Sequence, residues 1–215
     1  MNIDPQLVEK IVREVVLQKL QQTCNDMTVP IGVSNRHIHL TKEDVETLFG
    51  NGYKLQPLKD LSQPGQYACK ETLTIVGPSM KPIVGVRVLG PVRSKSQVEI
   101  SRTDSFTLKV KPPVRESGNI AGSAPITIIG PKGLVTLKEG CIIANRHIHM
   151  SISDGEKFGV KDGDTVTVDL NGERRTTFYD VQVRVHKDFR LEMHIDTDDA
   201  NAAGVSGKDR ATVRK

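Results

Sequence analysis

Asn35-Arg36-His37-Ile38-His39-Leu40 returns as Asn145-Arg146-His147-Ile148-His149-Met150, and the reading of this doubled stretch decides the fold. In an extended strand, residues two apart point to one side, so both imidazoles of a copy can meet one metal ion. Of the six histidines in the chain, four lie in the two copies, unlike histidines scattered through a core or surface. A single His-x-His is a weak signal, because a strand histidine often does no more than hydrogen-bond. A paired one points to chelation.

The duplication runs past the histidines. Thr41-x-x-Asp44 follows the first copy and Ser151-x-x-Asp154 the second, at the offset of 110 (147 − 37) that separates the histidines. Both are capping-box patterns, so each ligand strand is expected to run into a short helix. Gly50 and Gly159 then close the two helices, with one residue of slippage. A period this long is a domain-sized duplication and not a solenoid repeat.

Two further segments extend the parallel. In Gln97-Val98-Glu99-Ile100 and in Leu191-Glu192-Met193-His194-Ile195, apolar and polar residues alternate, which turns Glu99 and His194 away from the core side. Each segment leads into a Thr-Asp pair, Thr103-Asp104 and Thr197-Asp198, so Glu99 and His194 are candidate equivalent third ligands. Two His plus one Glu, or three His, is an open catalytic set that leaves a position for water or substrate. Imidazole suits zinc, copper, iron, nickel or cobalt, and spacing alone does not choose among them. On spacing alone the chain reads as a metal-dependent hydrolase or an acyl-transfer enzyme. Arg93, in Leu89-Gly90-Pro91-Val92-Arg93, stands near the Glu99 strand, where its guanidinium fork can bind an oxyanion.

Strands and turns dominate the remainder. Leu73 to Val76, Ile83 to Leu89, Phe106 to Val110, Ile126 to Ile129, Cys141 to Ala144, Thr165 to Leu170 and Thr176 to Val185 are short, β-branched runs bounded by glycine or proline. Asn171-Gly172 marks a hairpin. The pattern is mainly β, as barrels or a sandwich, and the duplication suggests two of them. Ahead of the strands, residues 4–20 read as an amphipathic helix with Asp4 as N-cap and a stripe of Leu7, Val8, Ile11, Val12, Val15, Val16 and Leu20, followed by a polar linker. That stripe must be buried on its own protein, on a sister subunit or on another protein.

Bulk properties narrow the classes. The 215 residues can bury a real core, and 37% hydrophobic with 26% charged residues describes an ordinary soluble protein. No apolar run approaches the roughly 20 residues that span a bilayer, and the N-terminus carries no signal-peptide pattern, so the chain is expected to stay inside the cell with no membrane contact. Three unpatterned cysteines offer neither a disulfide framework nor a Cys-x-x-Cys site. A net charge of +4 with 4% aromatics lacks the basic, stacking surface of a nucleic-acid binder, but suits a small anionic ligand.

Taken together, Val33 through Leu40, Leu61 through Ala68, Leu89-Gly90-Pro91 with Arg93, Gln97 through Asp104, Asn145 through Met150 and Arg190 through Asp198 resemble the phosphate propanoyltransferases, a family of phosphotransacylases. The likeness runs from Pro30 to Gly204. It implies exchange of an acyl group, foremost propanoyl and alternatively acetyl, between coenzyme A and inorganic phosphate, giving acyl phosphate and CoA. It implies two related β-barrels with short capping helices, 28–36 plus 145–215 forming the first and 37–144 the second, behind an N-terminal helix and linker over 1–24.

A dinuclear site, two Zn2+ per chain, is implied between the barrels. By position, His37, His39 and Glu99 resemble the ligands of the first zinc, whose open position takes the CoA sulfur, and His147, His149 and His194 those of the second. Arg93 matches the phosphate-binding, catalytic arginine. Val33, Ser34, Asn35, Arg87 and Asn201 match CoA-binding positions, with Lys59, Leu89 and Phe106 as weaker matches. Ser79 stands where the family often has a CoA-contacting lysine, and Lys81 follows two residues later. The N-terminal stripe resembles an encapsulation helix, implying docking of residues 4–20 on a shell or cargo protein and residence in the lumen of a bacterial microcompartment; a homo-oligomer is also implied. Two other readings compete: a metal-dependent thioesterase, which would release thiol without phosphate, and a non-catalytic metal-binding microcompartment component, which would turn over no acyl-CoA.

Overall fold

The computed structural model describes residues 9, 11–16 and 27–214. Among them, six strands close a first barrel in the order β1 (Thr28–Ser34), β13 (Glu192–Asp196), β10 (His147–Met150), β12 (Thr176–Val185), β11 (Thr165–Leu170) and β14 (Arg210–Arg214). A second ring runs β4 (Tyr67–Val76), β5 (Pro82–Gly90), β2 (His37–His39), β6 (Gln97–Glu99), β9 (Leu134–Ala144) and β8 (Ala124–Ile129), and β8 returns to β4. β3 (Pro57–Asp60) and β7 (Val114–Arg115) attach to β4 and β9. The two circuits are the same. β2 lies parallel to β5 and antiparallel to β6, as β10 lies parallel to β12 and antiparallel to β13.

The repeats are exchanged at one strand. β1 leads into β2 but closes the first barrel, and β9 leads into β10 but closes the second. Each repeat therefore lends its opening strand to the other barrel, and Asn35-Arg36 and Asn145-Arg146 are the crossings. Two residues span at most about 7 Å. Such short crossings force both His-x-His strands to lie where the barrels meet.

Burial follows the alternation read from the sequence. Ile38 packs in one core with Val86, Val88, Val98 and Ile128, and Ile148 in the other with Val168, Val183 and Met193. Since the isoleucines point inward, the histidines beside them stand on the outer faces of their barrels. His37 and His39 are nevertheless only 8% and 3% exposed.

Four short helices follow ligand strands: α1 (Lys42–Phe49), α2 (Arg102–Leu108), α3 (Ile152–Phe158) and α4 (Thr197–Ala203). Thr41, Ser101, Ser151 and Asp196 cap them, each accepting from the backbone N–H three residues on. Gly50 and Gly159 end α1 and α3 with positive φ, and α1 is one residue longer, which is the slippage seen in the sequence. One expectation fails: Phe106 to Val110 is not a strand, because the Ser101/Asp104 capping box starts a helix through Leu108, closed by Lys109 in the left-handed region. The Asn171-Gly172 hairpin is present as β11–β12, with Gly172 packed so closely on the carbonyls of Ala203 and Gly204 that a Cβ would collide.

Of the helix expected over residues 4–20, Glu9 and residues 11–16 are helical and the remainder lies outside the described residues. Ile11, Val12, Val15 and Val16 are each about half exposed. No described helix is long and apolar enough to cross a membrane.

Candidate active site between the barrels

Both ligand sets line one cavity of about 810 Å³ together with Arg93 and Arg184. Strand register assembles each set. His37 pairs with Glu99 across β2–β6, and His147 pairs with His194 across β10–β13, so each His-x-His strand meets its third ligand side by side. Within each set the donor atoms lie within 4.8 Å of one another. The imidazoles of His147 and His194 are stacked at 5.1 Å, and His149 stands nearly edge-on to both.

The ring nitrogens are sorted in the same way in both repeats. Nδ1 of His37 and of His147 lies 2.8 Å from the carbonyl of Asn35 and of Asn145. Donation to those carbonyls leaves Nε2 free as a ligand. Nδ1 of His39 and Nδ1 of His149 are buried without a hydrogen-bond partner. Buried polar atoms are rarely left unpaired, and one orphaned nitrogen in each of two such clusters fits a metal.

The charge state fits as well. Burial pushes His39 and His149 down to about 2 and His147 to about 4, holding them in the neutral, ligand-competent form. The His37–Glu99 pair differs. Burial opposes both charges, but their mutual attraction at 3.4 Å prevails: Glu99 stays ionised well below the usual carboxylate range and His37 is held above the ordinary imidazole value. The His37–Glu99 contact thus lies where a cation would stand between the two groups.

Around the ligands, Arg93 donates from its backbone N–H to the carbonyl of Leu40 (2.8 Å) and from Nη1 to Ser117 Oγ (3.1 Å), which fixes the guanidinium in the cavity wall. Arg184 enters from β12, where it pairs with His149. Phe189 supplies an apolar wall against the ring of His149 at 4.3 Å. At each crossing an arginine grips a helix start: Arg36 binds Asp104 through two nitrogens (2.8 and 2.7 Å), and Arg146 binds Asp199 (2.8 Å). The equivalent aspartates are therefore Asp104 and Asp199, each on the third residue after its cap. The two Thr-Asp pairs of the sequence differ in register by one residue, although the equivalence of Glu99 with His194 holds.

Of the positions matched to CoA binding, Val33, Ser34, Asn35, Lys59, Arg87 and Leu89 line the cavity. Arg87 also donates to the carbonyls of Cys69 and Lys70. Asn201 and Phe106 do not line it; Phe106 is exposed on α2. Ser79 and Lys81 occupy a turn outside the wall, Ser79 bonded to the Thr107 carbonyl at 2.8 Å. Sequence reasoning did not find Arg184, Ser117 or Gln97. Arg184 lies on the run Thr176–Val185 that the sequence marked as a strand, but its place beside His149 depends on the register of β12 with β10.

The sequence profile of the phosphate propanoyltransferase family matches residues 30–206. The chain is similar to the phosphate propanoyltransferase of Lachnoclostridium phytofermentans, at 57% identity over 93% of this chain and 94% of that one. It is similar to those of Thermotoga maritima (61% over 80% and 82%) and Priestia megaterium (55% over 96% and 95%).

Proposed function

The chain belongs to the phosphate propanoyltransferase family and is a phosphate acyltransferase, and on that premise we propose that its inter-barrel cavity exchanges propanoyl, and also acetyl, between CoA and inorganic phosphate. The carrying observation is the pairing of two three-donor sets with two arginines in one cavity. His37, His39 and Glu99 would hold one zinc ion, and His147, His149 and His194 a second. Bound there, zinc supplies Lewis acidity toward the thioester carbonyl and stabilises thiolate charge.

The chain's own residues bind and orient. Arg93, steadied by Ser117, holds the phosphate dianion by its guanidinium fork, and Arg184 adds a second positive group from the other barrel. Val33, Ser34, Asn35, Lys59, Arg87 and Leu89 hold the CoA portion, with Asn201 and Phe106 as outlying contacts. A phosphate oxygen forms its bond to the carbonyl carbon, the C–S bond breaks, and the proton of hydrogen phosphate ends on the departing CoA sulfur. No covalent intermediate on the protein is needed. Cys69 and Cys141 are buried, and burial pushes their thiols up to about 11 and about 12, so neither is a nucleophile.

The test is thiol release from propanoyl-CoA with and without inorganic phosphate. The proposal predicts release only with phosphate, accompanied by propanoyl phosphate. Release that ignores phosphate would instead support a metal-dependent thioesterase, and no release from metal-loaded protein a non-catalytic metal binder.

We infer further that residues 4–20 dock on a microcompartment shell or cargo protein, which puts the enzyme in the compartment lumen. The half-exposed stripe of Ile11, Val12, Val15 and Val16 supports this. Deleting residues 1–20 should leave turnover intact and abolish co-sedimentation with assembled shells.

A further inference from the structure

Two residues ahead of each third ligand, on the same strand, stands a side chain of complementary polarity. In the second barrel Gln97 donates from Nε2 to Glu99 Oε1 (2.6 Å) and to Ser117 Oγ (3.0 Å), while its Oε1 accepts from the Gly118 N–H (2.7 Å). Its amide orientation is fully determined. Glu192 holds the equivalent place in the first barrel, since it faces His149 as Gln97 faces His39.

Glu192 Oε2 lies 2.9 Å from His194 Nε2, a buried nitrogen with no other partner. The same oxygen accepts from the Ser62 hydroxyl. The carboxyl group rests on Gly32, where a Cβ would stand 2.9 Å from its Cδ and push it aside. Glu192 is not among the atoms that cluster as ligands. Its carboxylate is nevertheless held between His194 and Ser62.

The polarity is matched for a physical reason. A carboxylate beside a carboxylate ligand would repel it, whereas an amide can donate to it; a neutral imidazole ligand calls for an acceptor that takes one ring N–H and turns the other nitrogen to the metal. Each barrel thus places one carboxylate on this strand, as ligand at Glu99 and as support at Glu192.

We propose that Glu192 is the positioning residue of the second metal site, orienting His194 from outside the ligand set. Ser62 anchors it from the other barrel. Its neighbour Gln63 bonds both the N–H and the carbonyl of Arg190, so docking of the barrels helps set the geometry of the second site. The inference rests on the two-site reading given above.

The test is Co2+ titration of the full metal-free chain, followed by absorbance. Wild-type protein takes up two ions. Glu192→Gln should keep the first affinity and weaken the second on the order of 10- to 100-fold, with an altered visible band for that ion only. Gly32→Ala keeps every polar group yet displaces the carboxylate, so it should weaken the same site, and it decides the matter should Glu192→Gln not fold. Second-ion affinity and spectrum unchanged in both variants would overturn the proposal. Wild-type protein that binds fewer than two ions would overturn the two-site reading itself.

Discussion

The two barrels repeat one strand circuit and one His-x-His, yet they finish their sites differently. The second barrel adds a carboxylate, Glu99, which holds His37 above the ordinary imidazole value; the first adds a third imidazole, His194, and burial keeps His147 and His149 neutral. Duplication supplied two copies of a chelating strand, and one strand position, Glu99 against His194, set their charges apart. A ligand set of three imidazoles brings no carboxylate ligand to face a phosphate dianion, and Arg184 lines the same cavity. A site carrying Glu99 offers an incoming cation one negative charge more. This asymmetry matches a reaction that must hold two chemically different groups, a phosphate and a thioester, side by side.

The most severe way to break the comparison is to remove one chelating strand at a time. His37→Ala and His147→Ala should each reduce phosphate-dependent turnover more than a thousandfold, each with loss of one bound ion by elemental analysis. Retention of both ions in either variant would contradict the assignment. Next comes Arg93→Ala, which should cost on the order of a hundredfold to a thousandfold in kcat with an unchanged melting temperature. An Arg93→Ala protein with full turnover would remove the arginine from the reaction.

Acid should then separate the barrels in metal-free protein. Unfolded imidazoles take up protons below about 6.5. In the folded chain His147 refuses one until about 4, and His39 and His149 until about 2, so the unfolded state binds more protons and stability falls as pH drops from about 6.5 toward 4. Glu99, held ionised, adds to the same loss at lower pH; His37, held above its normal value, stabilises at low pH and loses that contribution as pH rises through its raised value. Urea titrations across this range should show the decline, and saturating metal should suppress it. A flat profile would mean that the imidazoles are not buried as neutral groups.

The smallest effect concerns the crossings. Arg36→Ala strands the buried Asp104 carboxylate, and Arg146→Ala the more exposed Asp199. The arginines are themselves about two-fifths exposed, so solvent discounts both losses: about 1–2 kcal/mol for the first and less for the second. Equal melting temperatures would show that burial of the aspartate does not distinguish the two clamps.

Much of this was legible in the chain because its signals are local. Period-two alternation placed Ile38 and Ile148 inward and their flanking histidines together, and the same alternation singled out Glu99 and His194. Capping chemistry was equally local, and Ser101-x-x-Asp104 carried it too, but the β-branched and aromatic content of Phe106 to Val110 suggested a strand. What stayed hidden depends on register between distant strands. Nothing near Arg184 announces that it will lie beside His149, and nothing near Ser62 that it will reach Glu192 across 130 residues. The off-by-one parallel of the Thr-Asp pairs has the same origin, since only the arginines of the crossings identify Asp104 and Asp199 as partners in position.

The central claim is that two related half-sites face each other across one cavity and hold two ions. Anomalous diffraction at the zinc edge from crystals of the active protein tests it most directly. The account predicts two peaks in the inter-barrel cavity, one at bonding distance from His37, His39 and Glu99 and the other from His147, His149 and His194. A single peak, or peaks away from these six side chains, would contradict it.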